Sequence, residues 1–157
     1  MARDEHLLRD IKIRVTHRDF RPVYHIAETT RTRPDPGTGR PARLLDLGTV
    51  SGRTNLAQAV IVRLLTPRGE LAALGHPEFG SRLHEIIGNR NSETVRHLAR
   101  LYILESLQRE PRIEEVTALE IGAHPDIRDR IDVELTVRPV QSRDTVSIGP
   151  FTLRLTP

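Results

Sequence analysis

The eight residues IDVELTVR, numbers 131–138, carry the clearest structural signal in the 157-residue chain. Apolar side chains occupy every second position, at Ile131, Val133, Leu135 and Val137. Successive side chains of a strand point to opposite faces of a sheet, so this alternation predicts a strand with one buried face and one solvent-facing face. The same period of two predicts further strands over residues 7–16, 113–121 and 145–155, and a hairpin extension over residues 20–30.

Helical spacing occupies the middle of the chain. Residues 54–66 place Leu56, Val60 and Leu64 on one face, and Pro67 ends this helix because a residue before proline disfavours helical backbone. A longer helix is predicted over residues 92–108, with Ser92 as its N-cap. That helix is apolar almost all round, which indicates burial on more than one side or against a partner. A third, short helix is predicted over residues 81–87.

These elements predict an α+β fold, mainly an antiparallel sheet packed on about three helices, with an N-terminal strand and arm. The segment 31–43 contains three prolines, two glycines and four arginines, and its composition predicts a mobile loop or linker. We therefore expect two parts: residues 1–43 as an N-terminal strand and a basic Pro/Gly-rich arm, and residues 44–157 as the main domain.

Composition narrows the function. All 24 basic residues except Lys12 are arginines. A GC-rich genome favours arginine over lysine in this way, and arginine is also the basic residue that is enriched in protein interfaces. The net charge is +4 over residues 1–53 and −1 over residues 54–157. Aromatic residues make up only 3% of the chain, which argues against nucleic-acid binding, and no apolar run is long enough for membrane insertion. The absence of cysteine excludes disulfides and is compatible with a cytoplasmic location.

Motifs for catalysis, cofactors and metals are weak. His84-Glu85 begins like a zinc-protease helix, but position 88 is glycine where the second histidine is needed. The residue types at positions 37–42 fit the GxGxxA pattern of a dinucleotide-binding loop. Pro41, however, lacks the backbone N–H that would be needed to bind a phosphate. Glutamates 70, 78, 85 and 110 are available as a general acid and base, as in any acidic-residue-rich protein. We expect no catalytic residues, no cofactor and no metal.

Glu110-Pro111-Arg112 lies at a junction from helix to strand. Residues two apart in extended backbone point the same way, so Glu110 and Arg112 are predicted to present a charge pair on one side. The alternative is an ordinary helix stop with solvated charges on either side.

Three segments together resemble the baseplate-wedge, sheath-initiator family of contractile tails. They are Asn55–Glu70, which includes the sequence Arg-Leu-Leu-Thr-Pro and a Gly-Glu turn, Pro77–Leu83, which includes Phe-Gly-Ser, and Glu110–Ile113. The resemblance covers roughly residues 44–157. It extends to phage baseplates, type VI secretion baseplates and extracellular contractile injection systems without choosing among them.

The resemblance implies a non-enzymatic assembly protein, present in multiple copies in a sixfold baseplate of a contractile tail or injection particle. The partners it implies are the sheath subunit, baseplate wedge proteins and, as a further candidate, the inner tube or hub protein. The first sheath ring would be templated by strand augmentation, and the alternative is a lysozyme-like peptidoglycan hydrolase of the tail. The interaction residues carried over by position are Glu110, Pro111, Arg112, Asn55, Gln58, Arg63, Thr66, Gly69 and Glu70.

Overall fold

The fold is described from a computed structural model, for residues 5–18 and 21–155. The chain divides into two compact units, Met1–Asn55 and Leu56–Pro157. The α+β class with antiparallel sheets is confirmed. The boundary expected after residue 43 stays a prediction about domains, and in the structure that position lies inside a strand, Pro41–Leu47.

The N-terminal unit consists of antiparallel two-stranded ribbons. Its strands are β1 (Arg9–Ile11), β2 (Ile13–Arg18), β3 (Arg21–Ile26), β4 (Glu28–Pro34), β5 (Pro41–Leu47) and β6 (Thr49–Ser51). Strand β1 pairs with β6, β2 with β3, and β4 with β5. The predicted strand 7–16 is thus divided between two ribbons, and the predicted hairpin extension is present as β3, although its first residue, number 20, lies outside the described residues.

The three ribbons meet at a junction of three residues. The Lys12 N–H donates to the Gly48 carbonyl at 2.8 Å, the Gly48 N–H to the Ala27 carbonyl at 2.6 Å, and the Ala27 N–H to the Lys12 carbonyl at 2.8 Å. This closed cycle satisfies the backbone groups left over where each strand changes its partner. A Cβ atom on Gly48 would lie 2.9 Å from the Ala27 carbonyl oxygen, so the junction requires glycine for close approach.

We expect Gly48→Ala to loosen this junction, because the added methyl group must displace the Ala27 carbonyl. Amide hydrogen exchange at Lys12, Ala27 and Gly48 should accelerate at least tenfold, which corresponds to about 1.4 kcal/mol. Gly122→Ala is the matched control, since a Cβ there meets no atom within 4 Å. Unchanged exchange at the three junction amides in Gly48→Ala would show that the cycle tolerates a side chain.

The prediction of a loop over residues 31–43 is wrong, because β4 and β5 pair in register from Glu28–Leu47 to Pro34–Pro41. Each proline stands at the tip end of its strand, where the missing N–H costs little. The intervening turn is ordered by Asp35, whose carboxylate accepts hydrogen bonds from the Gly37 and Thr38 amides at 2.9 and 2.8 Å.

The C-terminal unit contains most of helix α1 (Gly52–Leu65), helix α2 (Glu93–Leu107) and a sheet in the order β7 (Ile113–Ala123), β8 (Arg130–Pro139), β9 (Val146–Arg154). The alternation in β8 is confirmed, because its four apolar side chains are fully buried. Buried residues of the helices complete the core, among them Val60, Leu64, Ile103 and Leu107. Helix α2 contacts β7 directly.

Two expectations about helices need correction. The predicted helix 81–87 is only a one-turn 3-10 helix, Leu83–Ile86, because Ile87 is extended and Gly88 has a φ of 93°. The described part of the chain therefore holds two α-helices and not three. Helix α2 keeps its Ser92 cap, but its buried residues lie on one side only, since Leu98 and Leu101 are 37% and 57% exposed. Burial of the exposed side against a partner stays a prediction.

Candidate functional site

The turn Glu110–Ile113 positions the first candidate residues. The Ile113 N–H donates to the Glu110 carbonyl at 3.0 Å, and Pro111 occupies the second position of this turn, which its fixed φ favours. The Arg112 carbonyl accepts from the Val140 N–H at 3.0 Å, just beyond β8. The turn thereby fixes both the end of α2 and the start of β7.

Glu110 is the centre of a buried ionic cluster. Its Oε1 accepts from Arg112 Nε at 2.7 Å, and its Oε2 accepts from Arg63 Nη2 at 3.3 Å. The predicted pairing of Glu110 with Arg112 is therefore present. The alternative, an ordinary helix stop with solvated charges on either side, is wrong, because Glu110 is only 4% exposed and Arg63, in the last turn of α1, is 7% exposed.

Phe79 completes the cluster on the side of Arg63. The guanidinium carbon of Arg63 lies 4.6 Å from the centre of the Phe79 ring, within the range of a cation–π contact. This stacking and the ion pair hold the buried guanidinium in one position. Phe79 belongs to the Phe-Gly-Ser sequence, which already drew attention to this segment in the sequence. The spacing of residues could not show, however, that Phe79 stacks on an arginine sixteen positions upstream.

Opposing effects set the pKa of Glu110. Burial raises this pKa, but the hydrogen bond and charge of Arg112, together with the charge of Arg63, outweigh burial and hold the pKa below its ordinary value. The carboxylate is consequently ionised at neutral pH. It is suited to holding two arginines and unsuited to donating a proton.

The pKa of Glu110 predicts a dependence of stability on pH. Because the folded-state pKa is lowered, the stabilisation is complete above the unfolded-state pKa, near 4.3, and is lost as pH falls through the folded value. Glu85 and Glu105, whose pKa values are also lowered by arginines, act in the same direction. We therefore expect the difference in unfolding free energy between wild type and Glu110→Gln to shrink between about pH 5 and pH 3. Urea unfolding at several pH values measures it, and a constant difference would contradict the assignment.

The segment Gly80–Ser81 ties the ends of both helices to this cluster. Ser81 Oγ donates to the Leu64 carbonyl at 2.6 Å, and Ser106 Oγ of α2 donates to the Gly80 carbonyl at 2.9 Å. The Ser81 N–H also donates to the Thr66 carbonyl at 2.8 Å. Gly80 has a φ of 104°, and a Cβ on it would lie 2.5 Å from the Thr66 carbonyl oxygen. Ser106 had no sequence signal, because a serine on the apolar side of a helix has no pattern of its own.

The other predicted residues lie at different places. Thr66 is buried beside the cluster and donates its hydroxyl to the Val62 carbonyl at 2.8 Å. Asn55 is buried in the first turn of α1 and donates to the Leu7 carbonyl at 3.0 Å, while Gln58 is half-buried on the same helix. Gly69 and Glu70 form an exposed turn after Pro67. The structure thus brings together Arg63, Thr66 and Glu110–Arg112 but not the remaining four.

A second ionic network lies around Glu105 of α2. Arg68 Nη1 donates to Glu105 Oε1 at 2.7 Å, and the guanidinium groups of Arg109 and Arg82 lie 3.8 and 4.0 Å from the same carboxylate. The hydrogen bond from Arg68 is the main cause of the lowered pKa of Glu105. Arg82 also pairs with Glu85 and stacks on Tyr102. This more exposed network was not predicted, since its members are distributed over 42 residues.

Metal and membrane features are not found in the described residues. Within residues 5–18 and 21–155, no three histidine, aspartate or glutamate side chains are grouped so as to hold a metal ion. His84 contacts the Ser81 carbonyl through Nδ1 at 3.2 Å. In the same ranges, no helix has the length and apolar character that crossing a membrane requires.

Comparison with known proteins gives a likeness in fold. No protein-family model and no curated protein matches the chain. A crystal structure from Geobacter sulfurreducens, of a protein that carries the name tail lysozyme, is similar with a TM-score of 0.53. The two share 21% sequence identity over 68% of this chain and 93% of the other. At this identity the likeness concerns the fold.

Proposed function

We propose that the protein is a structural component of a contractile tail or injection apparatus. In this role it joins baseplate wedge proteins and offers the first sheath ring an edge strand. The resemblance of residues 44–157 to sheath initiators and the fold likeness to a protein named as a tail lysozyme support the proposal. The resemblance adds the sixfold setting and the inner tube or hub as a further partner.

The observation that carries the proposal is the exposed edge of the three-stranded sheet. Strand β8 is paired on both sides, whereas β7 and β9 each have one edge without a ladder partner in the described residues. An open edge can accept or donate a strand through main-chain hydrogen bonds, which is how strand augmentation works. Strand β7 is 11 residues long, more than enough for such pairing.

The buried cluster fits this role as a positioning device. Glu110 holds Arg112 at the first residue before β7 and holds Arg63 at the end of α1. A change at Glu110 therefore alters where β7 leaves the helical layer. On this proposal the Glu110-Pro111-Arg112 segment sets the geometry of the edge and does not contact the sheath through Glu110 itself.

The carboxylates favour assembly over peptidoglycan hydrolysis. A hydrolase needs a general acid whose pKa is raised, and Glu85 and Glu110 have pKa values lowered by arginine partners. Glu78 lies 3.4 Å from Arg109. Glu70 is exposed on its turn after Pro67.

Sheath nucleation tests the proposal. The purified protein is mixed with a contractile-sheath subunit from the same organism, and sheath fragments are counted by electron microscopy with and without the protein. We expect more fragments with the protein, together with at least tenfold slower amide exchange along one strand, β7 or β9. Exchange that slows elsewhere but on neither strand would refute augmentation, and unchanged fragment numbers would refute the sheath-templating role.

A cell-wall assay decides the alternative. We expect no release of soluble fragments from purified peptidoglycan. Release that disappears when one of Glu70, Glu78, Glu85 or Glu110 is changed to glutamine, and that persists in Glu114→Gln, would instead establish the hydrolase.

A further inference from the structure

Unbalanced negative charge lies on the outer face of the β7–β9 sheet. Glu120 of β7 stands directly opposite Glu134 of β8, and both side chains are exposed. Like charges in directly opposed positions of antiparallel strands are destabilising. Asp132 lies on the same face, two residues before Glu134, and accepts a hydrogen bond from the Thr152 hydroxyl at 2.8 Å. Within the described residues, neither Glu120 nor Glu134 has an ion-pair partner.

Two arginines of β8 lie on the same side of the sheet, and neither pairs with Glu120 or Glu134. Arg138 already pairs with Glu114 and Glu115 at 3.3 and 2.6 Å, and Arg130, two residues before Asp132, forms no ion pair within the described residues. The two opposed glutamates therefore retain a field that an external cation could neutralise.

Gly122 makes the same face open to close approach. It lies within β7 opposite Asp132, and a Cβ on it would meet no atom within 4 Å. Glycine weakens a strand interior, and its presence there is typical of a site where another backbone comes near. Nothing inside this unit requires the absence of a side chain at this position. The sheet face thus combines two uncompensated carboxylates with a shallow surface beside them.

A matching positive group lies at the tip of the β4–β5 ribbon. Arg33, Arg40 and Arg43 are exposed there, and none has an ion-pair partner in the described part of the chain. Arg31, nearer the base, is instead paired with Asp46 at 2.9 Å. The carboxylate at the tip, Asp35, is occupied by its own turn, where it accepts hydrogen bonds from the Gly37 and Thr38 amides and from the Thr38 hydroxyl at 3.0 Å.

We infer that the arginine tip of one copy (Arg33, Arg40, Arg43) docks on the acidic sheet face (Glu120, Asp132, Glu134) of a second copy. Arg33 stands opposite Ala42 and Arg43 stands opposite Thr32, so these two arginines lie on opposite faces of the ribbon and place positive charge on both sides of a preordered tip. The tip and the sheet face each contribute three charges, of opposite sign. Because every copy carries one tip and one face, the contact is heterologous and links copies head to tail into a ring or a filament. The inference does not rest on the proposed function, since self-association needs no sheath.

Sedimentation velocity of the full chain tests this contact at 50 mM and 500 mM salt. We expect the weight-average sedimentation coefficient of wild type to rise with protein concentration at low salt and to rise much less at high salt, where the charges are screened. Arg33→Glu/Arg40→Glu/Arg43→Glu should remain monomeric, as should Glu120→Arg/Glu134→Arg. An equimolar mixture of the two variants should associate again, because each supplies the surface that complements the other.

Two controls separate this contact from nonspecific charge effects. Arg90→Glu/Arg100→Glu/Arg128→Glu changes the net charge as much as the tip variant does and should still self-associate. Gly122→Thr should keep or improve thermal stability, because threonine favours strands, and should lose association by crowding the sheet face. A wild type that stays monomeric to millimolar concentration at low salt overturns the inference, as does association that survives in the tip variant or in Gly122→Thr.

Discussion

Replacing Glu110 with glutamine is expected to lower the unfolding free energy by about 3 kcal/mol, because the change leaves two arginines without their counter-ion. The loss is large because Glu110 and Arg63 are 4% and 7% exposed and water cannot replace the carboxylate. Glutamine retains the shape and can still accept the hydrogen bond from Arg112 Nε. The variant therefore loses chiefly the negative charge that stabilises the buried guanidinium of Arg63.

Glu114→Gln is the matched control for this change. Glu114 pairs with Arg138 at 3.3 Å, but it is 53% exposed, and exposed ion pairs contribute at most about 1 kcal/mol. Urea unfolding followed by circular dichroism at 222 nm reports chiefly on α1 and α2, to which the cluster is attached. Equal losses in the two variants would show that burial of the Glu110 cluster has no energetic significance.

Gly80→Ala is expected to lower the unfolding free energy by about 3 kcal/mol or more. The φ of 104° at Gly80 already strains any other residue by about 1–2 kcal/mol. In addition, the new Cβ would lie 2.5 Å from the Thr66 carbonyl oxygen and 2.8 Å from that of Pro67, so the backbone must move. Such a movement weakens the hydrogen bonds from Ser81 to Thr66 and from Ser106 to Gly80.

Gly75→Ala isolates the effect of the close contact. Gly75 has a φ of 85°, but a Cβ there meets no atom within 4 Å. We expect it to cost only the conformational part, about 1–2 kcal/mol, in the same urea experiment. If the two alanine variants unfold at the same urea concentration, the approach of Gly80 to Thr66 contributes nothing to stability.

The local sequence pattern was enough to predict those elements that are determined by neighbouring residues in the chain. The strand at Ile131–Val137 was predictable because its alternation matches the period of a strand, and Ser92 because a cap is a local hydrogen bond. The segment 31–43 was mispredicted because its pairing is decided by residues across the ribbon. The prolines that argue against a strand stand at its tip end, where they do no harm.

The candidate site was predictable only in part, because its contacts join distant positions. Glu110 and Arg112 are two residues apart, and their pairing was predicted for extended backbone, whereas the structure brings them together in a turn. Arg63 lies 47 residues before Glu110, and nothing in the spacing indicates that both arginines share one carboxylate. The burial of Glu110 was missed for the same reason, since charged residues beside a helix end are usually solvated.

The closed hydrogen-bond cycle of Lys12, Ala27 and Gly48 has a consequence for how this unit can vary in length. One residue inserted or deleted beside Lys12, Ala27 or Gly48 shifts the strand pairing of the two ribbons that this residue joins. The side chains of the shifted strands then point to the opposite faces of their ribbons. Changes in length are therefore confined to the hairpin tips, where residues can be added in opposed pairs without moving the cycle. Among related chains, we expect insertions beside Thr38 and a single linking residue between strands at each of positions 12, 27 and 48.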